Sequence, residues 1–240
     1  MHFTWFDLNW SWIGLTMAVV LLAMLFATNV FRSQPGISRW RDPVWLAWLA
    51  PAGYMLHQWE EYGIDLMGRA FYFPTHFCLT VQHQAYPACT VPEATYAAIN
   101  VTGIWVAGLA CALLSRRLPL VGLSIYAIHS TNSLSHIGAF LFTGEYNPGV
   151  LTSALVQLPL SAWVAYAMYG NSAIRKSGLA TLFLAGLLLS AVLLGSIQSF
   201  SRGLISGDAL VVIQLINPAL MMLVVWLKER LDYSAEPQSA

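Results

Sequence analysis

Apolar runs of membrane-spanning length are the feature that most restricts this chain. A helix that crosses a bilayer needs roughly 20 mostly apolar residues in a row. Seven stretches meet or approach that length, at about 10–31, 44–66, 94–114, 119–142, 150–169, 179–200 and 209–227. The breaks between them, such as "RSQPGISRWRDP", "RRLP", "TGEYNPG" and "NSAIRKSG", hold turn residues or charge. Only 9% of the residues are charged and 58% are hydrophobic. A soluble domain is about 25% charged. The fold class expected is therefore all-α, a polytopic transmembrane bundle of about seven helices. Residues 1–230 read as one transmembrane domain with an extramembrane loop at about 67–93. The polar end, 231–240, reads as a disordered tail.

A net charge of +0 gives no reason to expect nucleic acid as a partner. The opening "MHFTWFDLNW" has neither a basic n-region nor a small-residue cleavage site, so the first apolar run is expected to stay as an anchor. With the N-terminus outside, nine basic residues fall on inner loops: Arg32, Arg39, Arg41, Arg116, Arg117, Arg175, Lys176, Lys228 and Arg230. Arg69 and Arg202 alone stay outside. That bias predicts a cytoplasmic C-terminus. Cys78 and Cys89 then lie in the outer loop. A disulfide closing that loop and a pair of free thiols are both compatible with the sequence. Cys111, inside a helix, reads as a small packing residue.

Ionisable groups inside a bilayer are costly, and they mark functional sites by default. "PAGYMLHQWEEYGID" places His57, Glu60 and Glu61 together at the outer end of the 44–66 helix. Spacings of i+3 and i+4 put both carboxylates on the imidazole side of that helix. The 119–142 helix carries "IHSTNSLSH", in which His129, Asn132 and His136 fall at i, i+3 and i+7 and share a face. From helical rise, His57 lies ~20 Å, His129 ~15 Å and His136 ~25 Å from the inner helix ends. Asn100 comes to a similar level from the neighbouring helix, ~9 Å below its outer end.

Neutral imidazoles with a carboxylate suit a divalent metal, zinc first, with iron or manganese as alternatives. The expected ligands are His57, His129, His136 and one of Glu60 and Glu61. Asn100, Asn132, Tyr146 and Asn147 are expected to orient them. The remaining glutamate, Glu61 ahead of Glu60, would serve as general base. The reaction expected is hydrolysis of a lipid or other amphiphile. The alternative is a proton- or ion-coupled transporter using the same His/Glu cluster. Against transport, no inverted repeat is evident, and the inner helix halves hold few polar residues. A retinal Schiff base is excluded, because Lys176 and Lys228 both stand at helix ends. His76 and His83 lie in the outer loop and could cover the site. Asn217–Pro218, with Gln214, predicts a kink and an interhelical hydrogen bond in the last helix.

"HQWEEY" fits H-x-x-E-E, and in that respect the chain resembles the HXXEE family of bacterial and archaeal integral membrane proteins. The later His129, Asn132 and His136 and the "YNPG" run look like that family's second block. The resemblance covers the second to the fifth apolar stretch. It implies His57, Glu60 and Glu61 as the namesake residues, and a bacterial or archaeal cytoplasmic membrane as the location. The family has no established activity, so the resemblance indicates where a site lies and not what it does.

Overall fold

The computed structural model describes residues 3–171 and 174–234, whose regular structure is helical, with a single isolated β-bridge between Ile64 and Ala70. Helix α1, Trp5–Ala27, starts at a reciprocal cap. The Thr4 hydroxyl accepts from Asp7 N and the Asp7 carboxylate accepts from Thr4 N. Helix α2, Pro43–Tyr62, starts on Asp42, whose carboxylate accepts from Val44 N at 2.9 Å, with Pro43 pre-set in the first turn. A ten-residue helix, α3, Phe73–Gln82, lies within the expected loop. Helices α4 (Ala94–Leu114), α5 (Ile125–Thr143), α6 (Val150–Met168), α7 (Lys176–Ser201) and α8 (Gly207–Ser234) complete the bundle.

Five of these helices, α1, α4, α6, α7 and α8, are long and apolar enough to cross a membrane. The chain is thus built as a multi-pass membrane protein. Helices α2 and α5, which carry the ionisable residues, are the inner ones. On α2 almost every side chain from Val44 to Tyr62 is buried, because α1, α4, α5 and α6 all pack around it. Helix α5 runs parallel to α2. The Tyr126 hydroxyl donates to the Leu46 carbonyl and His129 meets the Ala50 carbonyl, at sequence separations of 80 and 79. Gly186 lets α7 cross close to α5, where a Cβ would stand 2.3 Å from the Ala127 carbonyl oxygen.

Several boundaries differ from expectation, each for a local reason. Helix α2 stops at Tyr62, where Gly63 leaves the helix and Asp65 ties the next turn to Arg69 at 2.8 Å. The 119–142 stretch is broken. A single turn, Pro119–Gly122, precedes α5, and its Leu120 and Val121 N–H groups donate to the buried Glu229 carboxylate, both at 3.0 Å. Helix α8 continues past 231 to Ser234, held by Asp232, which contacts Lys228 and lies 3.7 Å from Arg175. Residues 235–240 of the expected tail lie outside the described residues. A disulfide joins Cys78 to Cys89. It sits with Trp10, Tyr62, Val91 and Tyr96 in a small core that fastens α3 over one end of the bundle.

Candidate metal centre

One turn of α2 and one turn of α5 build the site. Glu61 stands i+4 from His57, and its Oε2 lies 3.4 Å from His57 Nε2. Its other oxygen, Oε1, lies 3.3 Å from His136 Nε2 on α5. The two imidazole centroids are 5.0 Å apart. One ligand atom from each of the three residues falls within 4.8 Å of the others, and all three side chains are buried.

The surrounding hydrogen bonds fix the state of each ring. Asn147 Nδ2 donates to the His136 carbonyl at 3.1 Å, so its Oδ1 faces His136 Nδ1 at 2.6 Å. Nδ1 therefore carries a hydrogen, and in the neutral ring Nε2 presents a lone pair toward Glu61. For His57, the Thr152 hydroxyl donates to Glu60 Oε2 at 2.5 Å. Its oxygen accepts from His57 Nδ1 at 2.9 Å. Nε2 of a neutral His57 is then the acceptor: it takes a hydrogen from Asn132 Nδ2 at 2.8 Å and lies 3.4 Å from Glu61 Oε2. With both rings neutral, two imidazole acceptors and a carboxylate thus converge in a buried site, and Asn132 supplies a hydrogen to one of them alone. Such a set repels itself unless a cation or protons lie between its members. Its chemistry fits a divalent ion: two imidazole nitrogens and one carboxylate are a known open zinc set.

Glu60, expected as a ligand or base, faces away from this centre. Its carboxylate accepts from Leu151 N at 3.2 Å, Thr152 N at 2.7 Å, Thr152 Oγ1 at 2.5 Å and the Tyr146 hydroxyl at 2.9 Å. It therefore caps the first turn of α6, where free N–H groups and the helix dipole favour an anion. His129, also expected as a ligand, is spent on the Ala50 carbonyl at 2.8 Å and packs between Tyr54 and Tyr126. Seven residues are two turns, so His129 lies ~10 Å along α5 from His136, too far to share an ion. Asn100 belongs to a neighbouring network, bonding the Gln58 amide and the Tyr62 hydroxyl, each at 3.1 Å.

Two residues of the "YNPGVLT" run complete the site without having been singled out by pattern. Thr152 links Glu60 to His57. Gly149 lies on the centre itself: a Cβ there would stand 2.6 Å from His57 Cε1 and 2.9 Å from His136 Cε1, and its φ of +97° suits glycine. Just beyond, α6 widens into a π-helix over Ser153–Gln157. Ser153 and Gln157 are both buried there, and Gln157 Oε1 accepts from Asn132 Nδ2 at 3.3 Å. At the mouth, burial first and then the neighbouring Glu60 push the Tyr146 pKa up, which keeps its hydroxyl a donor. His76 is half-buried there, and burial, followed by the nearby His136 and Arg69, lowers its pKa. His83 ends α3 in a left-handed conformation.

Fold and site together define a multi-pass, all-helical membrane protein organised around a buried His/Glu/His cluster. Residues 48–164, from α2 into α6, match the family described as "Protein of unknown function with HXXEE motif". Over those residues the chain is similar to this HXXEE family. The matched span holds His57, Glu60, Glu61, His136 and the Thr152 that joins them. No curated protein and no solved structure matches the chain.

Proposed function

We propose that the protein binds a divalent metal ion, zinc first, through His57, Glu61 and His136, and that it is a membrane-embedded hydrolase of a lipid or other amphiphile. The observation that carries this reading is the convergence of two imidazole Nε2 atoms on one carboxylate, each ring oriented by a partner on its Nδ1. A zinc ion in such a set lowers the pKa of a coordinated water and polarises a carbonyl or phosphoryl oxygen. The chain's own part is to hold and orient. Glu60 and Thr152 set the His57 ring, Asn147 sets His136, and Glu61 faces both. With two oxygens, Glu61 can hold an ion through one and take a proton from water at the other.

Positive-inside bias supports a cytoplasmic C-terminus and a site in the outer half of the bilayer. That depth suits a substrate with acyl chains in the membrane and a headgroup near Tyr146 and Arg69. Metal content of the purified full chain tests the reading, together with hydrolysis of lipid esters and phosphoesters in mixed micelles. Roughly one zinc per chain is expected, with turnover lost in Glu61→Gln and after chelation. A folded, metal-free protein that hydrolyses nothing would reject it.

A further inference from the structure

A second set of buried polar groups lies between α4, α7 and α8, outside the His/Glu/His centre. It surrounds an internal cavity with about 30 Å³ open to the centre of a water molecule. Asn100, Gln214 and Asn217 form its polar wall, against Gly103, Leu189 and Pro218. All three amides are at least nine-tenths buried.

Each amide is turned by a partner that can only accept. Asn217 Nδ2 donates to the Leu189 carbonyl at 3.0 Å, and Asn100 Nδ2 to the Tyr96 carbonyl at 3.0 Å. Gln214 Nε2 donates at 2.7 Å to Ser196 Oγ, whose own hydrogen goes to the Leu193 carbonyl. The nitrogens are spent; Asn100 Oδ1 accepts from Gln58 Nε2 at 3.1 Å, and the Asn217 and Gln214 oxygens remain. Asn217 Oδ1 is buried without a hydrogen-bond partner among the described residues. Gln214 Oε1 has one long contact, 3.4 Å from Asn217 Nδ2.

The backbone adds an acceptor to the same wall. Pro218 has no N–H, so the Gln214 carbonyl lacks its helical donor. Within a bilayer, such oxygens need a partner that brings positive charge or hydrogens.

We propose that this cavity binds a monovalent cation, sodium by size and ligand type. The ligands are the side-chain oxygens of Asn217 and Gln214 and the Gln214 carbonyl. No carboxylate lines the cavity among the described residues, so two charges would stay uncompensated there and one is favoured. Carbonyls freed where membrane helices break are known sodium ligands. The site is separate from the His/Glu/His centre. Tyr54 lines the cavity, and its ring stands 5.3 Å, centroid to centroid, from His57.

Thermal unfolding of the full chain in micelles tests this, with sodium, potassium or choline chloride exchanged at constant ionic strength. Sodium alone is expected to raise Tm, saturably, by about 2–4 °C. Asn217→Leu is expected to abolish the rise. Asn217→Asp, which adds a negative charge, is expected to move its midpoint to lower sodium, and it decides the matter if the leucine variant does not fold. Equal Tm in sodium and choline would mean that the cavity holds water alone, and would overturn the proposal. So would an Asn217→Asp midpoint equal to that of the unaltered chain.

Discussion

Three adjacent ionisable residues on one helix divide their work. Glu61 faces the two histidines, and Glu60 turns away to cap α6 and, through Thr152, to hold His57. Removing a group that orients a metal-bound histidine costs typically 10–100-fold in metal affinity. Thr152→Val is therefore expected to weaken zinc binding by about 10–100-fold in competition with a chromophoric chelator, and Thr152→Ser to restore it. Unchanged affinity in the valine variant would show that the hydroxyl does not set the ring. Gly149→Ala is expected to act from the opposite side. Its methyl would meet both imidazoles, which Thr152 and Asn147 hold in place, at a cost of about 1–3 kcal/mol and with loss of bound metal. Full metal content in that variant would contradict the close approach. Helical spacing alone put His57, Glu61 and His136 on facing sides of their helices. It could not exclude His129, because periodicity fixes a face and leaves depth open by two turns. Nor does spacing separate i+3 from i+4, so the division between Glu60 and Glu61 emerged only when α6 was in place. Thr152 carries no charge and no period, which is why pattern missed it.

At the scale of elements, apolar length and turn chemistry placed α4 at 94–114 and α6 at 150–169 almost to the residue, whereas α1 starts five residues before the expected 10 and α8 runs seven beyond the expected 227. Three features had no such signal. The π-segments of α4, Val101–Val106, and α6 have no residue-type signature. The helix inside the 67–93 loop is short and amphipathic, and it holds its place through the Cys78–Cys89 core. The single turn at Pro119–Gly122 depends on a residue about a hundred positions away, since Glu229 supplies the acceptors for its free N–H groups. Glu229→Ala is expected to leave two buried donors unpaired and to lower stability by about 1–3 kcal/mol, seen as a reduced unfolding temperature. Glu229→Gln keeps one acceptor and should cost less. Equal unfolding temperatures for the alanine variant and the unaltered chain would show that water replaces the carboxylate there.

Across the whole molecule, the basic loops gather at one end. Arg116 donates to the Val30 and Arg32 carbonyls, and Arg175 reaches Asp232. Arg69, Tyr146 and the disulfide-closed segment lie toward the ends of α2 and α5 that carry the His/Glu/His centre. The excess of lysine and arginine at the first end predicts that a C-terminal fluorescent fusion matures in the cytoplasm, while a C-terminal alkaline phosphatase fusion stays inactive. The reverse pattern would place the centre near the inner leaflet. Membrane character was legible from composition, because so little charge leaves few other ways to fold. The existence of one buried centre was legible from the cost of charge in lipid. Zinc-edge X-ray absorption on the purified protein tests that centre most directly. Two imidazole nitrogens and a carboxylate oxygen at about 2.0–2.2 Å are predicted, with the imidazole signal falling in His57→Ala and in His136→Ala. A folded chain that holds no metal, or a spectrum without imidazole scattering, would contradict a His57/Glu61/His136 metal centre.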